Sequence, residues 1–355
     1  MYKDCVPVGP LGMVDDLIGI TEAGHKAQEL NTFINLKTAD KKLQFGLDKC
    51  KVMLVGNKIE NFHKNELFVD CWDLKYDEEE NLNENFEGKK EMKLTDSDPY
   101  LGFVISNNGS NMKNIQKRTN IAIGTIKEIK RMTQGLGKFT FECAFIYMNS
   151  ILRGSTLYAC ETYYNLSEHE LRALEKIDED FMRQIYETGK GCPLYLLYLE
   201  GGQIPARFVI QKQKLNFLYH ILQQKKETLL YKFFEAQEKF PVKGDWVNEV
   251  KQIMKNLNLK LSFNEIQNMK KTKFKNLIKG RIQKKAMKYL KAKQKKGSKG
   301  KEIHYDNQPE MQDYLLPNDL LTLETQRKLF KFRTRMNFLP SNFPTTNSKL
   351  NCEGP

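Results

Sequence analysis

Two adjacent carboxylates, Asp15 and Asp16, and a run of cations from Lys270 to Lys301 are the residues whose types and spacing could do chemistry. Leu11, Met13 and Val14 lead into the acids and Leu17, Ile18 and Ile20 lead out of them. That pattern predicts a tight β-hairpin with the acids at its tip. Unit charges ~4 Å apart repel by ~4 kcal/mol at an effective dielectric of ~20. A bound Mg²⁺ removes that repulsion, and Mg²⁺ is typically held by one or two carboxylates plus substrate phosphates. An Asp-Asp pair is also, and more commonly, a solvated turn.

The cationic run holds fifteen Lys or Arg and no Asp or Glu. The whole chain has a formal net charge of +13, so its remainder is close to neutral and the basicity is one local feature. Phe274, Ile278, Ile282, Ala286 and Leu290 recur within the run at helical spacing. They predict an amphipathic basic helix whose other face offers Lys270, Lys271, Lys275, Lys279, Arg281, Lys284, Lys285 and Lys288. Such a helix can bind nucleic-acid phosphates, lie on an anionic membrane, or be a solvated face over a packed stripe. Phe274 and Tyr289 are the aromatics here, so contact with RNA or DNA is expected mostly at phosphates rather than by base stacking. Gln294 to Lys301, with Gly297, Ser298 and Gly300, is expected to be flexible, and deletion of 270–301 to leave the preceding helices folded.

Several elements must position these groups. The chain has 355 residues, 40% hydrophobic and 28% charged, enough for two or three domains with real cores. Its fold class is read as α+β. Strand and helix signals alternate over 1–106, including a helix from near Thr21 or Gly24, and Asp73 to Glu91 reads as an acidic, Asn-rich solvated insertion between strands. Residues 107–192 read as helical. Ser167 and Glu170 form a capping box, and Leu171, Leu174, Ile177, Phe181 and Ile185 make a buried face. Amphipathic helices continue over 193–268 with a break at Phe240-Pro241, and 269–355 carries the basic helix and a last helix near Leu320–Phe338. Seven scattered cysteines without a Cys-x-x-Cys fit reduced thiols. No leader pattern and no apolar run long enough for a bilayer is present, so an intracellular place, cytoplasm or nucleus, is expected, with no membrane partner and no obligate protein partner. His169 and His220 are read as ordinary helix histidines.

Leu11 to Gly56 resembles the reverse transcriptases of non-LTR (LINE-type) retrotransposons. Met13-Val14-Asp15-Asp16 resembles their motif C, the hairpin of the polymerase palm. Leu47-Asp48-Lys49-Cys50-Lys51-Val52-Met53-Leu54-Val55-Gly56 is similar to motif D, with Cys50 where the family usually has Thr. Tyr100-Leu101-Gly102-Phe103-Val104-Ile105-Ser106 looks like motif E, a strand carrying the primer grip. The order is that of the family. Tyr164 to Leu171 resembles the thumb, and Tyr198-Leu199-Glu200-Gly201-Gly202-Gln203-Ile204-Pro205 a helix-turn-helix joint after it. In the following helix Lys212-Gln213-Lys214 stands where paired arginines are frequent. Phe330 to Met336 is similar to a segment that precedes a zinc knuckle; Cys352 is followed by no second ligand, and no zinc site is expected.

The resemblance implies an RNA-directed DNA polymerase that joins a primer 3′-hydroxyl to the α-phosphate of a dNTP with Mg²⁺. Asp15 would bind the metal, Asp16 would support it, Lys49 would sit near the triphosphate, and Tyr100, Leu101 and Gly102 would grip the primer. Residues 1–106 would be a partial palm, 107–192 the thumb, 193–268 a post-thumb region and 269–355 a truncated C-terminal region. In the family a motif A aspartate, upstream of motif C, completes the metal site. Asp4 is the sole acid before Asp15 here, and Pro7 and Gly9-Pro10 argue against a central strand around it. The fingers have no counterpart. The expectation is a polymerase fragment inactive by itself; the alternative is a non-catalytic nucleic-acid-binding remnant acting through its thumb and basic helix.

Overall fold

The computed structural model describes residues 11–13, 16–21, 24–39, 49–55, 68–76, 82–135, 140–297, 299–317 and 321–334. The chain divides into two compact units, 1–114 and 115–355. Helices dominate and the strands pair two by two, which is α+β in the broad sense.

The first unit contains β1 (Leu11–Met13) and β2 (Asp16–Ile18), paired antiparallel with Met13 opposite Asp16. The two strands of the expected hairpin are therefore paired, and its tip lies outside the described residues. α1 follows at Gly24–Ala39. β3 (Lys51–Val52) pairs parallel with β6 (Lys93–Leu94). Of the described residues 49–55 in the stretch similar to motif D, Lys51 and Val52 are in a strand, and the Lys51 ammonium is ion-paired to Asp98. β4 (Phe68–Tyr76) and β5 (Leu82–Glu91) form the longest ladder, with a register shift between Cys71 and Trp72. Residues 73–76 and 82–91 of the stretch expected to be a solvated insertion are thus in paired strands. Composition hid the alternation of Trp72, Leu74 and Tyr76, which is a strand period. β7 (Ser97–Tyr100) and β8 (Phe103–Ser106) close around Leu101 and Gly102, with Tyr100 opposite Phe103. Both turn residues have positive φ, 47° and 78°, as a two-residue hairpin turn of the primed kind demands. Residues 100–106 were expected as one strand; Tyr100 ends β7, Leu101-Gly102 is the turn and 103–106 is β8. The buried Asn114 side chain accepts from the Val104 N–H at 3.1 Å and fixes β8 to the helix start.

The second unit is helical: α2 (Met112–Gly135, crossing the boundary), α3 (Phe141–Tyr147), a π-helical stretch Met148–Leu152, α4 (Arg153–Thr156), α5 (Glu168–Tyr186), α6 (Leu194–Glu200), α7 (Ala206–Leu222), α8 (Leu229–Lys239), α9 (Trp246–Asn256), α10 (Phe263–Gln267), α11 (Lys271–Lys296) and α12 (Leu323–Arg333). The Ser167–Glu170 capping box starts α5 as expected, with the Glu170 N–H donating to Ser167 Oγ and the Ser167 N–H to Glu170 Oε2. Leu174, Ile177, Phe181 and Ile185 are buried and Leu171 is half-buried. Helix α8 stops before Phe240-Pro241. The helix-turn-helix joint is α6, a turn through Gly201-Gly202, and α7.

Two cores hold this unit. One gathers Phe141, Phe145, Phe181, Tyr186, Leu197 and Phe330, with Tyr186 against Phe330 at 4.2 Å between ring centres. The other gathers Phe208, Leu215, Leu218, Val250, Ile253 and Phe274. The stretches expected as thumb, post-thumb and C-terminal region all contribute to these cores. Burial of Cys160 pushes its thiol up to about 12, and Cys192 rises to about 11 for the same reason, so both are neutral near pH 7. Among the described residues no helix is long and apolar enough to cross a membrane.

Candidate nucleic-acid interface

The basic helix α11 is where sequence and structure agree most closely. Phe274, Ile278, Ile282, Ala286, Leu290 and Gln294 are all buried and recur every four residues, not every 3.6. Each step of four advances by about 400°, so the buried line drifts by about 40° per step and winds through roughly 200° from Phe274 to Gln294. The winding has a use. Phe274, Ile278, Ile282 and Ala286 enter the second core, and Met287 and Leu290 enter the first. One helix seals both in succession.

That geometry speaks against the membrane reading. A helix lying on a bilayer needs its apolar residues along one straight line. The apolar line of α11 winds and is already buried. What faces solvent is polar: of the fifteen cations from 270 to 301, all are exposed except Lys291 and Lys299, which are half-buried. The eight expected contact residues, Lys270, Lys271, Lys275, Lys279, Arg281, Lys284, Lys285 and Lys288, are all among the exposed ones. Gly280 sits on the outermost line of the helix, and a side chain there would meet nothing within 4 Å.

The flexibility expected for 294–301 is not what the structure has. The Gln294 side chain donates to the carbonyls of Gly300 and, at 2.8 Å, Ile303, which ties the helix end to the chain that follows. Tyr195 donates to the Lys299 carbonyl at 2.8 Å. Gly300 is buried at φ 69°, where an added Cβ would lie 2.7 Å from Leu196. The glycines serve a close-packed turn rather than a loose tail.

Helix α7 runs antiparallel beside α11. Tyr219 stacks on Phe274 with ring centres 5.2 Å apart, and Phe208 meets Tyr289 edge-on at 5.5 Å. The tract expected at the paired-arginine position splits in two. Lys214 is fully buried and ion-paired to Glu249 at 2.5 Å, so it holds α7 to α9 and cannot reach a phosphate. Lys212 is half-buried, and its charged form is disfavoured first by burial and then by Lys279 and Lys275 of α11. Sequence reading missed this grouping. The available signal was Lys212 lying four residues after Phe208, on the face that meets α11.

The residues expected to do polymerase chemistry are placed only in part. Asp15 lies outside the described residues, and Asp16 is described as the first residue of β2 without its side chain. Lys49 is exposed just before β3. Tyr100 ends β7, and Leu101 and Gly102 form the β7–β8 turn. Among the described residues, β1–β2, β3–β6 and β7–β8 are separate ladders. No group of three or more His, Cys, Asp or Glu able to hold a metal occurs among the described residues. Cys352 lies outside them. His169 and His220 are exposed on α5 and α7.

No protein-family model, curated protein or solved structure matches this chain.

Proposed function

We propose that this chain binds RNA or DNA through backbone phosphates along the exposed face of α11, as a relative of the non-LTR retrotransposon reverse transcriptases. The observation that carries the proposal is the division of α11: its apolar line is committed to two cores, and the face left to solvent holds cations without one acid. Phosphate contacts position a nucleic acid without reading its sequence, so binding is indifferent to sequence. About five of these side chains reach phosphates at once, which gives a slope of log K against log salt of roughly −4 to −5. Fluorescence anisotropy with a short RNA duplex and a DNA duplex at several salt concentrations measures it. A slope near zero overturns the proposal, and tighter binding to anionic vesicles than to RNA at the same salt favours the membrane reading instead. Deleting 270–301 is not a usable variant, because it removes residues of both cores; Lys→Gln substitutions on the exposed face replace it.

The polymerase component of the proposal rests on the ordered motif resemblances. In it Asp15 would bind Mg²⁺ with Asp16 in support, the ion would lower the charge on the reacting phosphates, Lys49 would lie near the triphosphate, and Tyr100 to Gly102 would position the primer. A two-metal site of this kind would need several carboxylates around its ions. Neighbouring residues of one hairpin point to opposite faces, so Asp15 and Asp16 need a further acid to build it. The 355-residue chain, given primer, RNA template, Mg²⁺ or Mn²⁺ and dNTPs, is expected to extend nothing beyond an Asp15→Ala control. Extension that the control abolishes would show that the chain supplies the acid itself.

A further inference from the structure

We propose that the seam where Lys212 of α7 meets Lys275 and Lys279 of α11 is the anchoring point of the basic face, and that it takes one phosphodiester group of a nucleic-acid backbone. The inference rests on the reading above and locates it. The antiparallel packing of α7 on α11, fixed by Tyr219 on Phe274 and Phe208 on Tyr289, sets Lys212 against the middle of the basic helix. Lys275 and Lys279 are one helical turn apart and exposed, while Lys212 is half-buried in the crevice between the helices. Lys212 therefore faces two lysines of the neighbouring helix across the seam, instead of lying along one element with them.

The other partly or fully buried cations of α7 are treated differently. Arg207 is met by Glu175 at 2.5 Å and by Glu168 at 3.2 Å. Lys214 is met by Glu249 at 2.5 Å. Lys212 has about the same degree of burial as Arg207, yet the charges acting on it are two more lysines. Like charges held together cost stability in the free protein, and an anion shared by all three removes that cost. A phosphodiester oxygen pair is small, charged and able to accept from several ammonium groups at once. On the outer side, Gly280 follows Lys279 with open space where a side chain would stand, so a backbone strand can approach α11 there without obstruction.

The test compares two triple variants that each remove three charges and leave both cores intact: Lys212→Gln with Lys275→Gln and Lys279→Gln, against Lys284→Gln with Lys288→Gln and Lys296→Gln. The first is expected to weaken binding of a fluorescent RNA duplex on the order of 100-fold near 0.1 M salt and to flatten the salt slope by about 2 to 3. The second is expected to cost less than tenfold. Equal losses in the two variants overturn the anchoring seam and leave the wider phosphate reading standing; no loss in either overturns both. Thermal melting in the absence of RNA provides a separate readout. The seam variant is expected to melt no lower than the wild type, because it relieves repulsion. Inorganic phosphate is expected to raise the melting temperature of the wild type and not that of the seam variant, and an equal rise in both also overturns the proposal.

Discussion

Asp178→Ala is expected to destabilise the protein by about 3–5 kcal/mol, the usual cost of removing one member of a buried ion pair. Arg153 and Asp178 leave only 5% and 3% of their side chains exposed. The guanidinium grips the carboxylate twice, Nη2 to Oδ2 at 2.6 Å and Nε to Oδ1 at 3.2 Å. Tyr198 donates to the same Oδ2 at 3.2 Å. Arg153 also donates to the Asn149 side chain at 2.8 Å and to the Ile204 carbonyl at 2.7 Å, so the network links the π-helical stretch, α4, α5, α6 and the turn before α7. Burial opposes the charge on Arg153, but Asp178 and Tyr198 outweigh it and hold its pKa above the ordinary value. Without Asp178 that charge stays in a low-dielectric core with no counter-ion. Replacing both partners by apolar residues of similar volume, Arg153→Met with Asp178→Leu, is expected to recover most of the loss. Denaturant unfolding of the three proteins measures this. A loss below about 1 kcal/mol in the single variant would show that water reaches the site.

The network marks a limit of sequence reading. Leu174, Ile177 and Phe181 were legible as the inner face of α5 because apolar residues repeat there at helical spacing. Asp178 and Glu175 share that face and are as buried, but an acid in an amphipathic helix is read as solvent-facing unless its partner is known. Their partners, Arg153 and Arg207, lie 25 and 32 residues away in sequence. Long-range ion pairs leave no periodic trace in one sequence.

Helix α11 is the opposite case. Its buried line was legible residue by residue, and its exposed lysines followed by exclusion. The pitch of the line, four rather than 3.6, was also present in the sequence, and it contains the prediction that the helix serves two cores and not a flat membrane surface. Turns fared less well. Gly297 and Gly300 resembled a loose tail by composition, but glycine is equally what a tight joint requires, and only the Gln294 and Tyr195 hydrogen bonds distinguish the two. In the first unit the paired strands beside Asp15 and Asp16 were foreseen from the apolar residues flanking the two acids, whereas Leu101-Gly102 was taken for part of a strand on the strength of the motif E resemblance.

Glu200→Ala is expected to cost a further 3–5 kcal/mol by a different route, through loss of the C-terminal segment. The Glu200 side chain is fully buried at the end of α6. It accepts from the Tyr305 hydroxyl, from the Tyr314 hydroxyl at 2.6 Å and from Arg333 Nε at 3.0 Å. Its backbone carbonyl accepts from the Gln312 N–H at 3.0 Å, beside a bridge between Gly201 and Met311. One carboxylate thus gathers the side chains of Tyr305, Tyr314 and Arg333 onto a helix more than a hundred residues earlier. Burial and the Glu200 charge hold both tyrosine hydroxyls well above their ordinary pKa, so both are protonated donors near neutral pH. Removing the carboxylate leaves two hydroxyls and a guanidinium without their shared acceptor. Glu200→Gln keeps the shape and one acceptor oxygen, and is expected to lose about half as much. Because Phe330 is anchored separately among Phe141, Phe145 and Tyr186, the first consequence is local opening of 303–316 rather than global unfolding. Hydrogen exchange reads this directly: amides of 303–316 are expected to lose protection in Glu200→Ala while those of α9 and α11 keep theirs. Protection lost uniformly across the second unit would mean that Glu200 supports the core itself and not the attachment of the segment.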